Sequence, residues 1–209
     1  MGTATGSTRH HVLYGQALYT AKRFMMPQWN RGGRTINLTG AMHVIQSKRL
    51  ELRELDLHDA EFIFELLNEA PFLRFIGDKG VRTLADARDY LLKGPMDSYL
   101  RRGFGLYLTG LRDGGTPIGI CGLVKRDVLE DVDVGFALLS RHCSRGYAVE
   151  AASAVLTYGM QALRLRRIVA ITSPDNNASI AVLDKIGLRF ERMVKLPGHG
   201  GELKLFATV

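Results

Sequence analysis

The stretch Arg141-His142-Cys143-Ser144-Arg145-Gly146-Tyr147-Ala148-Val149-Glu150-Ala151 gathers residues whose types and spacing suit the binding of a phosphate. It lies between an alternating apolar run, Val132 to Leu138, and a longer apolar-periodic segment, Val149 to Leu163, and reads as strand, tight basic turn, helix. The N–H groups of a helix's first turn have no acceptor within the helix. Together with the helix dipole they make an anion site. Gly146 has no Cβ, so a ligand can approach the main chain there, and Arg141 and Arg145 add positive charge. A pyrophosphate fits this turn. An ordinary strand-to-helix turn with surface arginines has the same appearance, and the stretch alone leaves both readings open.

A second stretch follows about 30 residues later: Asp175-Asn176-Asn177-Ala178-Ser179, running into Ile180-Ala181-Val182-Leu183-Asp184-Lys185-Ile186-Gly187-Leu188. The pair, in this order, resembles the GNAT superfamily of acyl-CoA-dependent N-acyltransferases. Cys143 to Ala148 matches that family's Gln/Arg-x-x-Gly-x-Gly/Ala motif, and Asn176 to Leu188 matches Asn-x-x-Ser followed by a helix ending in Lys-x-Gly-Phe. The chain resembles in particular the RimJ/RimL-type branch, which acetylates N-termini of ribosomal proteins. That branch opens with a strand like Lys48 to Arg53 and a helix starting near Asp59-Ala60-Glu61. The resemblance spans about residues 45–209.

The resemblance implies an α/β fold with a central, mostly antiparallel sheet, splayed middle strands and flanking helices. It also implies acetyl-CoA as co-substrate and a primary amine as acceptor, either a protein N-terminus or a small molecule, attacking directly in a ternary complex. Such a reaction needs a held CoA, an uncharged amine, a stabilised oxyanion and a protonated thiolate. The residues implied to hold the cofactor are Leu138, Leu139, Cys143, Ser144, Arg145, Gly146, Tyr147, Ala148, Asn176 and Ser179. A main-chain N–H between Phe136 and Leu139 would face the thioester oxygen. Asp133 stands where relatives often carry Glu and is the candidate general base, acting through water. A solvent-facing place for it in the acidic run Glu130 to Asp133 stays open. Asn176 is a candidate partner of the pantetheine amide, and Ser179 a candidate proton donor to the thiolate. Both also suit a helix N-terminus. Glu150, in the first turn of the phosphate helix, reads as a structural partner. Departures from the family pattern are Cys143 for Gln or Arg, Ser144 for Gly, Leu183 for Tyr and Leu188 for Phe.

These residues need elements to position them. Arg49 to Leu55 alternates as a strand, and Asp56 is placed to cap a helix from about Leu57 to Asn68, which Pro71 stops. The aromatic segment Phe72 to Gly77 corresponds to a loop that walls the acceptor site in the family, although its apolar residues also suit the core. Thr83 with Asp86 forms a capping-box pattern for a helix from about Leu84 to Arg101, interrupted near Gly94-Pro95. Strands follow at Gly103 to Leu111, Pro117 to Val124, Val132 to Leu139 and Ile168 to Thr172. The second motif opens a helix to about Ile186, and Leu188 to Val194 and Glu202 to Thr208 close the sheet.

A length of 209 residues with 46% apolar content suits one domain with a real core. Two cysteines, Cys121 and Cys143, give neither a disulfide framework nor metal spacing. No metal is expected, and a reducing, cytoplasmic setting is. No apolar run approaches the ~18 residues of a membrane span. The net charge of +7 is concentrated in residues 1–41, where Arg9, Lys22, Arg23, Arg31 and Arg34 face no acid. The rest is close to balanced, which argues against a nucleic-acid surface on the folded part.

Residues 1–41 read as a poorly ordered basic leader ahead of an acetyltransferase domain at 42–209. Three readings of the leader stand: a misassigned start with Met42 as the true one, a transit peptide, or a basic arm touching RNA. Two rival functions also remain, a catalytically silent acyl-CoA-binding module and a nucleic-acid-binding protein acting through the leader. A monomer and a homodimer are equally compatible with the sequence.

Overall fold

The computed structural model describes residues 43–197 and 200–209. The leader expected at residues 1–41 lies outside the described residues.

The described strands form one eight-stranded sheet in the order β1-β2-β3-β4-β5-β6-β8-β7. They are β1 (His43–Gln46), β2 (Leu50–Glu54), β3 (Leu106–Leu111), β4 (Pro117–Val124), β5 (Val132–Leu138), β6 (Ile168–Thr172), β7 (Arg189–Lys195) and β8 (Glu202–Ala207). Among them only β5 and β6 pair in parallel. The α/β expectation of a mostly antiparallel sheet flanked by helices holds. Strand β1 was not expected: its four residues show no polar alternation and directly follow the basic leader.

Between β2 and β3 lie four helices, α1 (Ala60–Leu67), α2 (Ala70–Phe75), α3 (Leu84–Leu91) and α4 (Asp97–Arg102). Asp56 caps the single 3-10 turn ahead of α1, and its capping box closes through Asp59. Pro71 does not merely end a helix. It occupies the first turn of α2, where its missing N–H costs nothing, so the segment expected as a loop is a short helix. Its Phe72 is buried, whereas Leu73 and Ile76 are exposed. Thr83 and Asp86 close the box that starts α3. Near Pro95 the helix does not break. A π-helical turn over Leu92–Met96 carries the proline and runs on into α4, which ends at Gly103 in the left-handed conformation (φ 75°).

Helix α5 (Tyr147–Gln161) connects β5 to β6, and α6 (Asn177–Lys185) connects β6 to β7. The apolar face of α5, Ala151, Ala152, Val155 and Leu156, packs in one cluster with Tyr107, Cys121, Leu123, Val132 and Val134 of the sheet. At Gly159 a Cβ would stand 2.7 Å from Ile168 Cδ1, so the helix approaches the sheet more closely there than any other residue would allow. Side chains alternate across a strand. With Val132 and Val134 facing α5, Asp133 faces the opposite side. That side also carries a second apolar cluster, Leu129, Val169, Leu205 and Ala207.

Candidate active site

Strands β5 and β6 share two rungs, Val132 with Ile168 and Asp133 with Val169, and then separate. Among the described strands, β5 is paired only with β4 from Val134 onward, leaving a wedge that opens toward the basic turn. The N–H of Leu139 is taken by the Ile118 carbonyl at 2.9 Å. Strand geometry alternates the direction of successive N–H groups. Those of Phe136 and Leu138 therefore face the wedge, whereas those of Ala137 and Leu139 face β4. This removes Leu139 as a main-chain donor and leaves Phe136 and Leu138.

The wedge leads into a 3-10 turn, Ser140–His142, followed by Cys143 to Gly146. Ser144 (φ 59°) and Gly146 (φ 78°) are both left-handed. A chain that alternates in this way turns successive N–H groups into one concavity, an anion-binding nest. The N-cap residue Gly146 has no side chain with which to cap α5, so the N–H groups of Tyr147, Ala148 and Val149 add to it. Arg145 is exposed beside this concavity.

Arg49, at the turn before β2, braces the loop: its Nη1 donates to the Arg145 carbonyl at 3.1 Å, and its guanidinium stacks 4.5 Å over the Tyr147 ring. Arg141 does not stand free for an anion. It pairs with Glu65 of α1. Glu69, just before α2, accepts from both the N–H (2.9 Å) and the hydroxyl (2.7 Å) of Ser140. Neither Arg49 nor Glu69 was legible as a site residue, because both reach the loop across long sequence separations.

Asp133 sits on the last shared rung of β5 and β6, at the apex of the wedge. It is buried, at 1% exposure, which removes the solvent-facing reading. Its Oδ2 accepts from Arg126 Nε at 2.7 Å, while its Oδ1 is buried without a hydrogen-bond partner among the described residues. Burial pushes its pKa up to about 6, against the opposing pull of Arg126 and the Ile171 main chain. A carboxyl so placed is a better proton acceptor near neutrality than an ordinary Asp. On the same face, a cavity of about 330 Å³ is floored by Val169 and Leu205, and Arg167 at its wall bridges Asp131 and Glu191.

At the start of α6, Asn176 Oδ1 accepts from the Ser179 N–H at 3.1 Å, so Asn176 caps the helix. Its Nδ2 and the Ser179 hydroxyl make no hydrogen bond among the described residues. Across from it, Arg74 of α2 pairs with Asp175 at 3.0 Å. Glu150 binds Ser47 and Arg49 and is a structural partner, as expected. Among the described residues no cluster of His, Cys, Asp and Glu has the makings of a metal site. None of the described helices is long and apolar enough to cross a membrane.

A model of the acetyltransferase (GNAT) domain matches residues 49–189. An uncharacterized N-acetyltransferase of Bacillus subtilis, YnaD, is 32% identical over 154 residues, which cover 74% of this chain and 86% of that protein. The chain belongs to the GNAT acetyltransferase family. It is thereby an acetyl-CoA-dependent acyltransferase. Among solved structures, a GNAT-family acetyltransferase from Bacillus anthracis superposes with a TM-score of 0.67 at 27% identity, over 79% of this chain and 97% of that one. RimL, a ribosomal-protein α-N-acetyltransferase, superposes with a TM-score of 0.71 at 18% identity, over 85% and 99%.

Two departures from the GNAT pattern have visible consequences. Leu183, at the position many GNAT members give to tyrosine, is buried in the core at 1% exposure and offers no proton. Cys143 supplies only a weak Sγ contact to the Leu139 carbonyl, 3.7 Å, and burial followed by Glu69 raises its pKa, so it is a poor thiolate. The main-chain nest is unaffected by either change.

Proposed function

We propose that the protein acetylates a primary amine by direct attack on acetyl-CoA in a ternary complex. The observation that carries this reading is the wedge between β5 and β6, with the nest of Cys143 to Ala148 at its mouth and Asp133 at its apex. The pyrophosphate lies on that nest and the N–H groups of Tyr147, Ala148 and Val149, with Arg145 beside it. The pantetheine arm descends the wedge along the main chain of Leu138, near Nδ2 of Asn176. Phe136 or Leu138 N–H donates to the thioester oxygen as negative charge develops there. A similar fold, that of the self-immunity acetyltransferase MccE, is known in complex with acetyl-CoA, which supports acetyl-CoA as the co-substrate.

The amine arrives as an ammonium. Asp133, through one water, takes one proton and frees the nitrogen lone pair. The N–C bond forms, the tetrahedral centre collapses, and the C–S bond breaks. The second nitrogen proton passes to the departing thiolate, for which Ser179 is the nearby hydroxyl, and Asp133 releases its proton to solvent. A thiol's pKa near 8.5 makes the thiolate a tolerable leaving group, so the contribution of Ser179 is small.

Calorimetric titration of the full chain with acetyl-CoA, against Gly146→Glu, tests the placement. The wild type binds in the micromolar range and the variant loses binding by clash and charge. Thiol release with a panel of amines then tests turnover. Acetyl-CoA binding without turnover on any amine would instead identify a silent acyl-CoA-binding module.

A further inference from the structure

We propose that Arg126 selects the acceptor, and that the acceptor is an amine carrying a carboxylate within a few bonds of its nitrogen. This rests on the amine-acetyltransferase reading and names the substrate class of that site.

Arg126 lies in the turn between β4 and β5, and its Nε is fixed by Asp133 at 2.7 Å. Its two Nη atoms make no hydrogen bond among the described residues, and its side chain is 39% exposed. A guanidinium pinned through Nε presents the Nη pair as a planar fork, which matches a carboxylate in bidentate geometry. Beside it, Asp133 Oδ1 is buried and makes no hydrogen bond among the described residues, the Ile171 main chain being the smallest of the pulls on the carboxylate. One small region therefore holds an empty anion fork and an empty proton acceptor, joined through a single ion pair.

The surrounding charge points the same way. Lys79, an exposed residue of the α2–α3 connection, has its pKa lowered by partial desolvation and then by the Arg126 charge. Tyr90 of α3 also lies within the field of Arg126. Among the described residues Lys79 makes no ion pair and Arg126 pairs only with Asp133, so one of these two neighbouring cations has no carboxylate of its own. Like charges in partly desolvated surroundings are unfavourable unless a counter-anion joins them. An acceptor with its ammonium at Asp133 and its carboxylate on Arg126 and Lys79 supplies that anion. A free amino acid meets this description, and so does a peptide N-terminus followed by an acidic residue.

The test uses the full chain and matched acceptor pairs: L-serine against L-serinamide, and the C-terminally amidated dipeptides Ser-Asp against Ser-Asn. Initial rates of thiol release give kcat/KM for each. At least one acid is expected to exceed its amide by 10-fold or more, and the pair that does so identifies the source of the carboxylate. Arg126→Lys keeps the charge on Asp133 but loses the fork, and Lys79→Gln leaves Asp133 untouched. Both should bring the acid-to-amide ratio of kcat/KM toward 1, mainly through a higher KM for the acids. Equal kcat/KM for acids and amides in the wild type overturns the inference and leaves the acetyltransferase reading intact. Should no amine turn over, calorimetric binding of the acids to the CoA-saturated protein decides. Binding weakened by both variants supports the anion subsite although the reading of activity has failed, and absence of binding overturns it.

Discussion

Glu150 holds the turn between β1 and β2 against the first turn of α5: its Oε1 accepts from the Arg49 N–H and the Ser47 hydroxyl, each at 2.7 Å, and its Oε2 from Arg49 Nε at 2.6 Å. The contact ties the edge of the sheet to the helix whose N-terminus forms the nest. An acid in the first turn also complements the helix dipole. The Arg49 side chain is 44% exposed, so the ion pair is screened, and the part-buried hydrogen bond from the Ser47 hydroxyl and the one from the Arg49 N–H carry most of the contact.

Glu150→Ala should therefore cost about 2 kcal/mol in urea unfolding, and should weaken acetyl-CoA binding because Arg49 no longer braces the Arg145 carbonyl. Burial raises the Glu150 pKa, but the Arg49 main chain, the Ser47 hydroxyl and the Arg49 side chain together bring it below 4.5. A depressed carboxylate contributes its stability above the unfolded value and loses it as pH falls through the folded one. The difference between wild type and Glu150→Ala should accordingly shrink below about pH 4.5. A constant difference down to pH 3 would show that packing, not charge, holds the turn.

Asp133 behaves in the opposite sense. Its folded carboxyl keeps a proton up to about pH 6, whereas the unfolded chain releases it near 3.8. The folded state binds the extra proton between those values, so this residue lowers stability as pH rises through that window, and the loss is complete above it. In the mechanism the same titration sets an acid limb near pH 6 on the rate. Asp133→Asn should remove that limb and lower kcat/KM at pH 7 by about 100-fold, with recovery as rising pH deprotonates the amine itself. A pH–rate profile of unchanged shape would take Asp133 out of the reaction.

Ser144 occupies a conformation that a residue with a Cβ resists, φ 59°. Relief of that strain on replacement by Gly is worth about 1–2 kcal/mol, offset by the greater freedom of Gly in the unfolded chain, about 0.5–1 kcal/mol. Ser144→Gly should gain about 0.5 kcal/mol in urea unfolding, by the difference of those terms, and leave acetyl-CoA affinity unchanged, since only main chain is used. A variant that binds acetyl-CoA 10-fold more weakly would mean that the serine hydroxyl is itself a ligand.

Local patterns carried well from sequence to fold. The alternating runs became β2, β4, β5 and β6 with at most a residue's change at either end, and Thr83 with Asp86 started α3. Pro95 did not interrupt its helix because one extra residue in a π-helical turn accommodates it, a choice that packing makes and composition does not announce. The two motifs located the nest and the α6 cap, since both are built from contiguous residues. Asp133 was legible as a position, but its burial was not. Glu130 beside it is exposed and Asp131 half-buried, so the acidic run has no single environment. What makes Asp133 unusual is the parallel partner at Val169 and the guanidinium at Arg126. The first depends on which strands become neighbours and the second on how a hairpin turn folds back.

Asn176 separates capping from cofactor contact, because its two polar atoms do different things. Oδ1 caps α6 through the Ser179 N–H, and Nδ2 has no partner among the described residues. Asn176→Asp preserves the capping oxygen and adds a charge favourable to a helix N-terminus, so stability should hold within about 0.5 kcal/mol. It removes the only donor the side chain offers. If Nδ2 meets a pantetheine carbonyl, the KM for acetyl-CoA rises about 10-fold, the worth of one hydrogen bond, with kcat little changed. Asn176→Ala loses both functions and should cost about 1 kcal/mol of stability as well. An Asp variant with wild-type KM alongside a destabilised Ala variant would assign Asn176 to the helix alone.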